Sequence, residues 1–412
     1  MVSRNPSIVD FQAQLAEFIS YVGGTELQKS TSKVIQKLAL IYPEIRSRFG
    51  TRYFFHEQFD NFINGPAPFQ LNLSSARAIR AASFVVASNL AADSMSNVGR
   101  ARFRRMIIDN LAPDRDIRQL EHELRAFIDM RLRFDDVKFA DCEGLGNFDL
   151  MCRSGALSVE VECKTISEDT GNPIKNELLI NFSQEFLRRF RKRIPTNGPG
   201  IVRVQFDGEP ASSMLQEFRG AIASSLDDTV IRKGGAISFL PRPSWRRGTG
   251  LSLEQLRDDP DIAPSHCVTI IDGQGFGLSL VCKNKQSALA DRATRVLKEA
   301  ASKQLSGKNP SIIWLHFVGF AELEFRQLAQ FSMGSGGGGL NLLVANALSP
   351  GASPTDRSHV NAVRFSGEPE EPSRNRVIEG SEVVEDSSLG GVTYDVPNPY
   401  ALYPWDSDPL KN

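Results

Sequence analysis

Residues 147–166 read Asn147-Phe148-Asp149-Leu150-Met151-Cys152-Arg153-Ser154-Gly155-Ala156-Leu157-Ser158-Val159-Glu160-Val161-Glu162-Cys163-Lys164-Thr165-Ile166. Two strand-like apolar runs flank a short turn, and the second carries three charges where a buried strand should avoid them. Desolvating an unpaired carboxylate costs several kcal/mol or forces it to neutralise. Side chains alternate along a strand, so Val159, Val161 and Cys163 share one face while Glu160, Glu162 and Lys164 share the other. A two-residue turn at Ser154-Gly155 pairs Arg153 with Ala156, which sets Asp149 opposite Glu160 and diagonal to Glu162. Like charges opposed across a sheet repel, so three neighbouring carboxylates call for a cation or a raised pKa. Hard oxygen donors favour Mg²⁺ or Mn²⁺ over zinc.

Around this stretch the chain divides into four regions. Residues 1–110 are mostly helical in pattern, with Ile8, Phe11, Leu15 and Phe18, and again Leu27, Val34, Leu38 and Ile41, at helical spacing; the loop Asn64-Gly-Pro-Ala-Pro68 breaks them in two. Residues 111–250 read as an α/β core. A helix runs through Phe134, strands follow near 136–142, 147–153 and 157–166, then a helix near 174–193, a strand at 200–207 and a helix near 211–225. Residues 251–366 read as an additional α/β domain: strands near 267–272 and 277–283, a helix at 287–305, a strand at 311–319, a helix at 322–332, and strands near 340–347 and 360–365. Residues 367–412 hold ten acids against three bases, a net of −7 that leaves +6 on the rest of a chain whose total is −1. This acidic tail, poor in apolar residues before Tyr394, Tyr400, Tyr403 and Trp405, is expected to be largely disordered by itself, or to dock on a basic surface.

Composition excludes several classes. No apolar run approaches the roughly 20 residues that span a bilayer, and the N-terminus lacks a signal peptide's basic-then-apolar order, so no membrane partner and a cytoplasmic location are expected. Five cysteines without a Cys-x-x-Cys pair indicate core thiols rather than a disulfide framework or zinc cluster. The five histidines show no ligand spacing, and His316 reads as a satisfied core residue. No Gly-x-Ser-x-Gly elbow is present. Gly334–Gly339 lacks the Lys-Ser/Thr ending of a phosphate loop and reads as a connector. Asp272-Gly-Gln-Gly-Phe-Gly277 lies between two strands and reads as a hairpin loop.

An acid on one strand, a turn, then Glu162-Cys163-Lys164 on the next resembles the PD-(D/E)xK, or restriction-endonuclease-like, nuclease superfamily over roughly residues 113–240. The family's Pro before the first acid is Phe148 here. Asp136-Val137-Lys138 also matches the tripeptide but has no acid on a preceding strand. The resemblance implies a restriction-endonuclease-like α/β core, a mixed central sheet flanked by helices, that hydrolyses phosphodiester bonds of nucleic acid, DNA before RNA and internally before from an end. It further implies that Asp149 and Glu162 bind Mg²⁺ or Mn²⁺ with the Cys163 carbonyl as a further ligand, and that Lys164 orients or activates the attacking water. Members carry an acid on the helix before the sheet. Glu121 falls nearer the apolar stripe of Ile117, Leu120, Leu124, Phe127 and Ile128 and is the choice, with Glu123 close behind.

Basic clusters at Arg100, Arg102, Arg104 and Arg105, at Arg188–Arg193, and at Arg242, Arg246 and Arg247 beside Trp245 suit a nucleic-acid backbone, as does Lys175. Genome defence or DNA processing in a bacterium would suit such a chain, with room for a homodimer or a partner protein. The competing class is a noncatalytic module that uses the same fold to bind nucleic acid or protein.

Overall fold

The structure is a computed structural model, and it describes residues 8–40, 43–64, 76–113, 115–167, 181–184, 188, 200–207, 230–232, 235–241, 267–271, 276–282, 289–318, 339–350, 357–367 and 393–402. Along the chain come α1 (Ile8–Val22), α2 (Gly24–Ala39), α3 (Pro43–Asn64), α4 (Ala76–Asp93), α5 (Asn97–Asn110), α6 (Arg118–Arg131), β1 (Asp136–Phe139), α7 (Ala140–Glu143), β2 (Leu150–Ser154) and β3 (Leu157–Ser167). Next are β4 (Gly200–Phe206), β5 (Val230–Arg232), β6 (Gly235–Pro241), β7 (Cys267–Ile271) and β8 (Phe276–Cys282). The described chain closes with α8 (Leu289–Glu299), β9 (Ser311–Val318), α9 (Gly339–Leu348), β10 (Val360–Gly367) and β11 (Thr393–Pro397).

These elements form two compact units, one of Met1–Ile35, Arg52–Glu168 and Ala290–Asn412, the other of Gln36–Thr51 and Asp169–Leu289. The first holds a mixed sheet in the order β1-β2-β3-β9-β10-β11, flanked by helices. Strands β3, β9 and β10 run parallel at its centre, with antiparallel β1-β2 and β11 at the edges. Ser311–Val318 and Val360–Gly367 are buried at every position, as expected of parallel strands covered on both faces. The second unit holds a five-stranded sheet, β5-β6-β4-β8-β7, in which β4 and β8 are parallel.

The expected boundaries at 110 and 250 are not boundaries in space. Phe11, Phe18, Phe55, Phe59 and Phe84 of the N-terminal helices share one continuous core with Leu120, Phe127, Phe139, Val161 and Trp314, with edge-on ring pairs such as Phe55–Phe84 at 4.5 Å. Strands β9 and β10, which the sequence assigned to a separate domain, complete the sheet begun by β3. The units are not contiguous in sequence, because residues 169–289 are an insertion between β3 and α8. A second correction concerns 340–347, expected as a strand. Leu340, Val344, Ala347 and Leu348 are buried at helical spacing in α9, and a short apolar run cannot separate the two periods by itself.

The acidic tail also departs from expectation at Thr393–Pro397, which pairs with β10 as the edge strand. Arg364, almost fully buried, makes two hydrogen bonds to Asp395, at 2.7 and 2.9 Å, and a third to Asp129 of α6 at 2.7 Å. Its guanidinium lies 4.8 Å from the Trp314 ring centre. Local alternation of Tyr394 and Val396 with Asp395 outweighs the polar composition around it. The rest of the tail beyond Leu402, and residues 368–392, lie outside the described residues. Among the described residues no helix is long and apolar enough to cross a membrane.

Asp395→Ala should therefore lower stability by about 2 kcal/mol, measured as the urea midpoint; an unchanged midpoint would mean that β11 is not anchored through Arg364.

Candidate functional site

The turn between β2 and β3 falls at Gly155-Ala156, one residue later than expected, with Gly155 at φ +56 where a side chain would be strained. Ser154 pairs with Leu157 and Leu150 with Val161. Moving the turn by one residue slips the pairing by two, so each side chain keeps its face but Asp149 falls level with Glu162 instead of Glu160. Strand β2 ends at Leu150 while β3 runs on to Ser167. At that step the Cys163 amide donates to Asp149 Oδ2 at 2.6 Å, taking the place of a ladder bond.

Glu162 is 1% exposed and pairs through Oε1 with Lys164, while its Oε2 is buried with no hydrogen-bond partner. Lys164 and Asp149 are partly exposed, so the cluster opens to solvent at these two residues. Burial, reinforced by the Asp149 charge, pushes the Glu162 carboxyl up to about 8 against the pull of Lys164. Burial likewise lifts Asp149 to about 6, with Lys164 and the Cys163 amide acting the other way and Asp141 adding to the rise. Desolvation works against the Lys164 ammonium, but Glu162 and Asp149 more than offset it and raise its pKa.

Of the two candidate acids on α6, Glu123 is the one whose charge is felt with those of Asp149 and Asp141, whereas Glu121 is engaged by arginines. Burial, then the charges of Asp149 and Asp141, raise the Glu123 carboxyl well above the carboxylate range. Glu121 instead forms a two-pronged pair with Arg80 of α4 and lies 3.4 Å from Arg125. Because α6 is buried on nearly every side, proximity to the apolar stripe does not tell Glu121 from Glu123. Asp141, on the four-residue helix α7, is the group sequence reading missed; nothing local distinguishes it from a surface acid.

Glu160 is structural. Buried, it accepts hydrogen bonds from the Ser306 amide at 2.7 Å, the Ser306 hydroxyl, and Asn309 Nδ2 at 2.8 Å. The π-helical turn Ala300–Gln304 after α8 delivers these donors, so Glu160 fixes the return of the chain into β9. His316 is the expected core residue. It lies 2.9 Å from Ser366 Oγ and stacks on His122 at 4.8 Å, and burial drives both imidazoles toward neutrality, His122 to about 3. Cys142, Cys152 and Cys163 are buried free thiols. Of the basic residues, Arg102 donates to the Cys142 carbonyl and Arg104 to that of Tyr21. Arg189–Arg193, Arg242, Arg246, Arg247, Lys175 and the 334–338 glycines lie outside the described residues.

The donor chemistry suits a hard cation: two adjacent carboxylates level across β2 and β3, one with an orphaned oxygen, and a single lysine as counter-charge. Among the described residues no group of three or more His, Cys, Asp and Glu is arranged to hold a metal ion. Mg²⁺ does not require one, because it keeps several waters and uses one or two carboxylates. Compared with known proteins, the chain matches no family model, no curated protein and no solved structure.

Both raised carboxyls lie above the ordinary value of about 4. Between that value and about 8 the folded chain holds protons that the unfolded chain has lost, so stability falls as pH rises through this window. Glu162→Gln removes the larger part of the loss. It should raise the thermal midpoint of the metal-free protein at pH 8 and change it little at pH 4; a lower midpoint at pH 8 would make Glu162 a purely structural partner of Lys164.

Proposed function

We propose that this chain is a Mg²⁺- or Mn²⁺-dependent phosphodiesterase acting on nucleic acid, with a restriction-endonuclease-like core built from α6, β1, β2, β3, α8 and β9. The unpartnered oxygen of buried Glu162, level with Asp149 and beside Lys164, carries the reading. A cluster with more buried acid than base persists most readily where a cation completes it. The order helix, three antiparallel strands, helix and parallel strand, interrupted by an insertion, supports the same core.

In this reading Asp149 and Glu162 hold the cation. In an extended strand the amide and carbonyl of one residue point the same way, so the Cys163 carbonyl joins them where its amide meets Asp149. When bound, the cation makes hydroxide available near neutral pH and stabilises charge on the phosphoryl oxygens. Lys164 leaves Glu162 Oε1 to steady the attacking water and the phosphate. Glu123, whose pKa burial raises, would accept the water's proton from its ionised form once a bound cation offsets the charges of its acidic neighbours. DNA before RNA, and internal cutting before end-directed cutting, rest on the family resemblance alone.

Wild-type protein should cleave oligonucleotides with Mg²⁺ or Mn²⁺, and Glu162→Gln, Lys164→Met and Glu123→Gln should each reduce the rate by about 10²–10⁴-fold. Glu121→Gln should keep most of the activity and lose thermal stability. Cleavage that survives at Glu162 and Lys164 would remove this site from the reaction. Binding without cleavage in the wild type would favour a noncatalytic nucleic-acid module.

A further inference from the structure

Around the single Lys164 the cluster offers a polyanion only acids, and one divalent cation would give it a hold on one phosphate alone. Beside them lies a cavity of about 410 Å³, within the range of about 300–1,000 Å³ typical of ligand sites. Its lining includes Arg102 and Arg105 of α5, Arg115 of the loop before α6, and Asp141 and Cys142 of α7. Helix α7 links the two places: the Ala140 amide donates to the Asp149 carbonyl at 2.8 Å, and the next two residues, Asp141 and Cys142, line the cavity. Arg102 is fixed through Nη1 to the Cys142 carbonyl at 3.1 Å, which holds the arginine-bearing face of α5 against α7. Arg105 is 85% exposed and meets Asp109 only at 3.7 Å, a contact that a phosphate would outcompete. Arg115 makes no ion pair among the described residues and is exposed.

We infer that this cavity is the backbone subsite of the proposed phosphodiesterase: Arg105 and Arg115 take the phosphate next to the one at Asp149 and Glu162, with Arg102 fixing the wall between them. The inference rests on the reading above but concerns binding and is separable from catalysis. Guanidinium forks suit phosphate oxygens and carry no base sequence, so the subsite supplies affinity and register along one strand.

The test is anisotropy of a fluorescein-labelled oligonucleotide with EDTA present, titrated at salt concentrations from about 50 to 200 mM. Arg105→Ala/Arg115→Ala should weaken binding and flatten the log-log salt slope by about 2, one for each lost phosphate contact. Arg105→Lys/Arg115→Lys should restore most of the slope. Both arginines sit on the surface, so the thermal midpoint should not move. Wild-type slope in the Ala/Ala variant would overturn the subsite while leaving the phosphodiesterase reading to its cleavage assay. A wild type that neither binds nor cleaves would sink both. Binding of a 5′-mononucleotide, with the same dependence on Arg105 and Arg115, in place of the oligonucleotide would overturn the assignment to a strand.

Discussion

The hydrogen bond from the Cys163 amide to Asp149 Oδ2, at 2.6 Å, is the contact on which the site depends. Strand β3 outruns β2, and where the ladder stops an exposed amide must find another acceptor. Asp149 provides it. In doing so it brings its carboxylate level with Glu162 and beside Lys164. The same contact explains the local electrostatics, because an aspartate held against β3 cannot retreat into solvent from its acidic neighbours.

Helix α6 is fixed on several sides, and that places Glu123. Glu121 ties it to α4 through Arg80. His122 Nε2 lies 3.2 Å from the Trp314 carbonyl in β9. Asp129 ties it to Arg364 in β10, and through that arginine to β11. Burying charged groups costs free energy that only good geometry offsets, and these pairs have it: Arg80 meets both oxygens of Glu121, and Arg364 is shared between Asp395 and Asp129 and lies over the Trp314 ring. Among the carboxylates described, Glu162 is the one with a buried oxygen left without a hydrogen-bond partner. A buried carboxylate oxygen without a donor is costly, and such a group is expected where stability has been given up for function.

Much of this was legible in the residues. Alternation in 157–166 assigned Glu162 and Lys164 to one face and Cys163 to the other, and helical spacing located α1, α2 and α6. The misreadings have separate physical causes. Turn chemistry at Ser154-Gly155-Ala156 admits two positions differing by one residue, and only tertiary pairing chooses. Glu121 and Glu123 cannot be ranked from one apolar stripe when a helix is covered on both sides. Strand β9 pairs with β3 across an insertion of more than a hundred residues, from 169 to 289, which no local period reveals. Asp141 and the arginine-lined cavity arise from α5, α7 and a loop meeting in space. Glu160, which shares its face with Glu162, proved to be a loop anchor because its donors come from Ser306 and Asn309.

The central claim is that Asp149 and Glu162 form a cation site emptied of protons by the metal. The most direct measurement is calorimetric titration of Mn²⁺ into the full chain at pH 7, between the two carboxyl values, in buffers of different ionisation enthalpy. The account predicts one binding event that releases about one proton, chiefly from Glu162, and that disappears in Glu162→Gln. Mn²⁺ that fails to bind, or that binds the variant as well as the wild type, would contradict it.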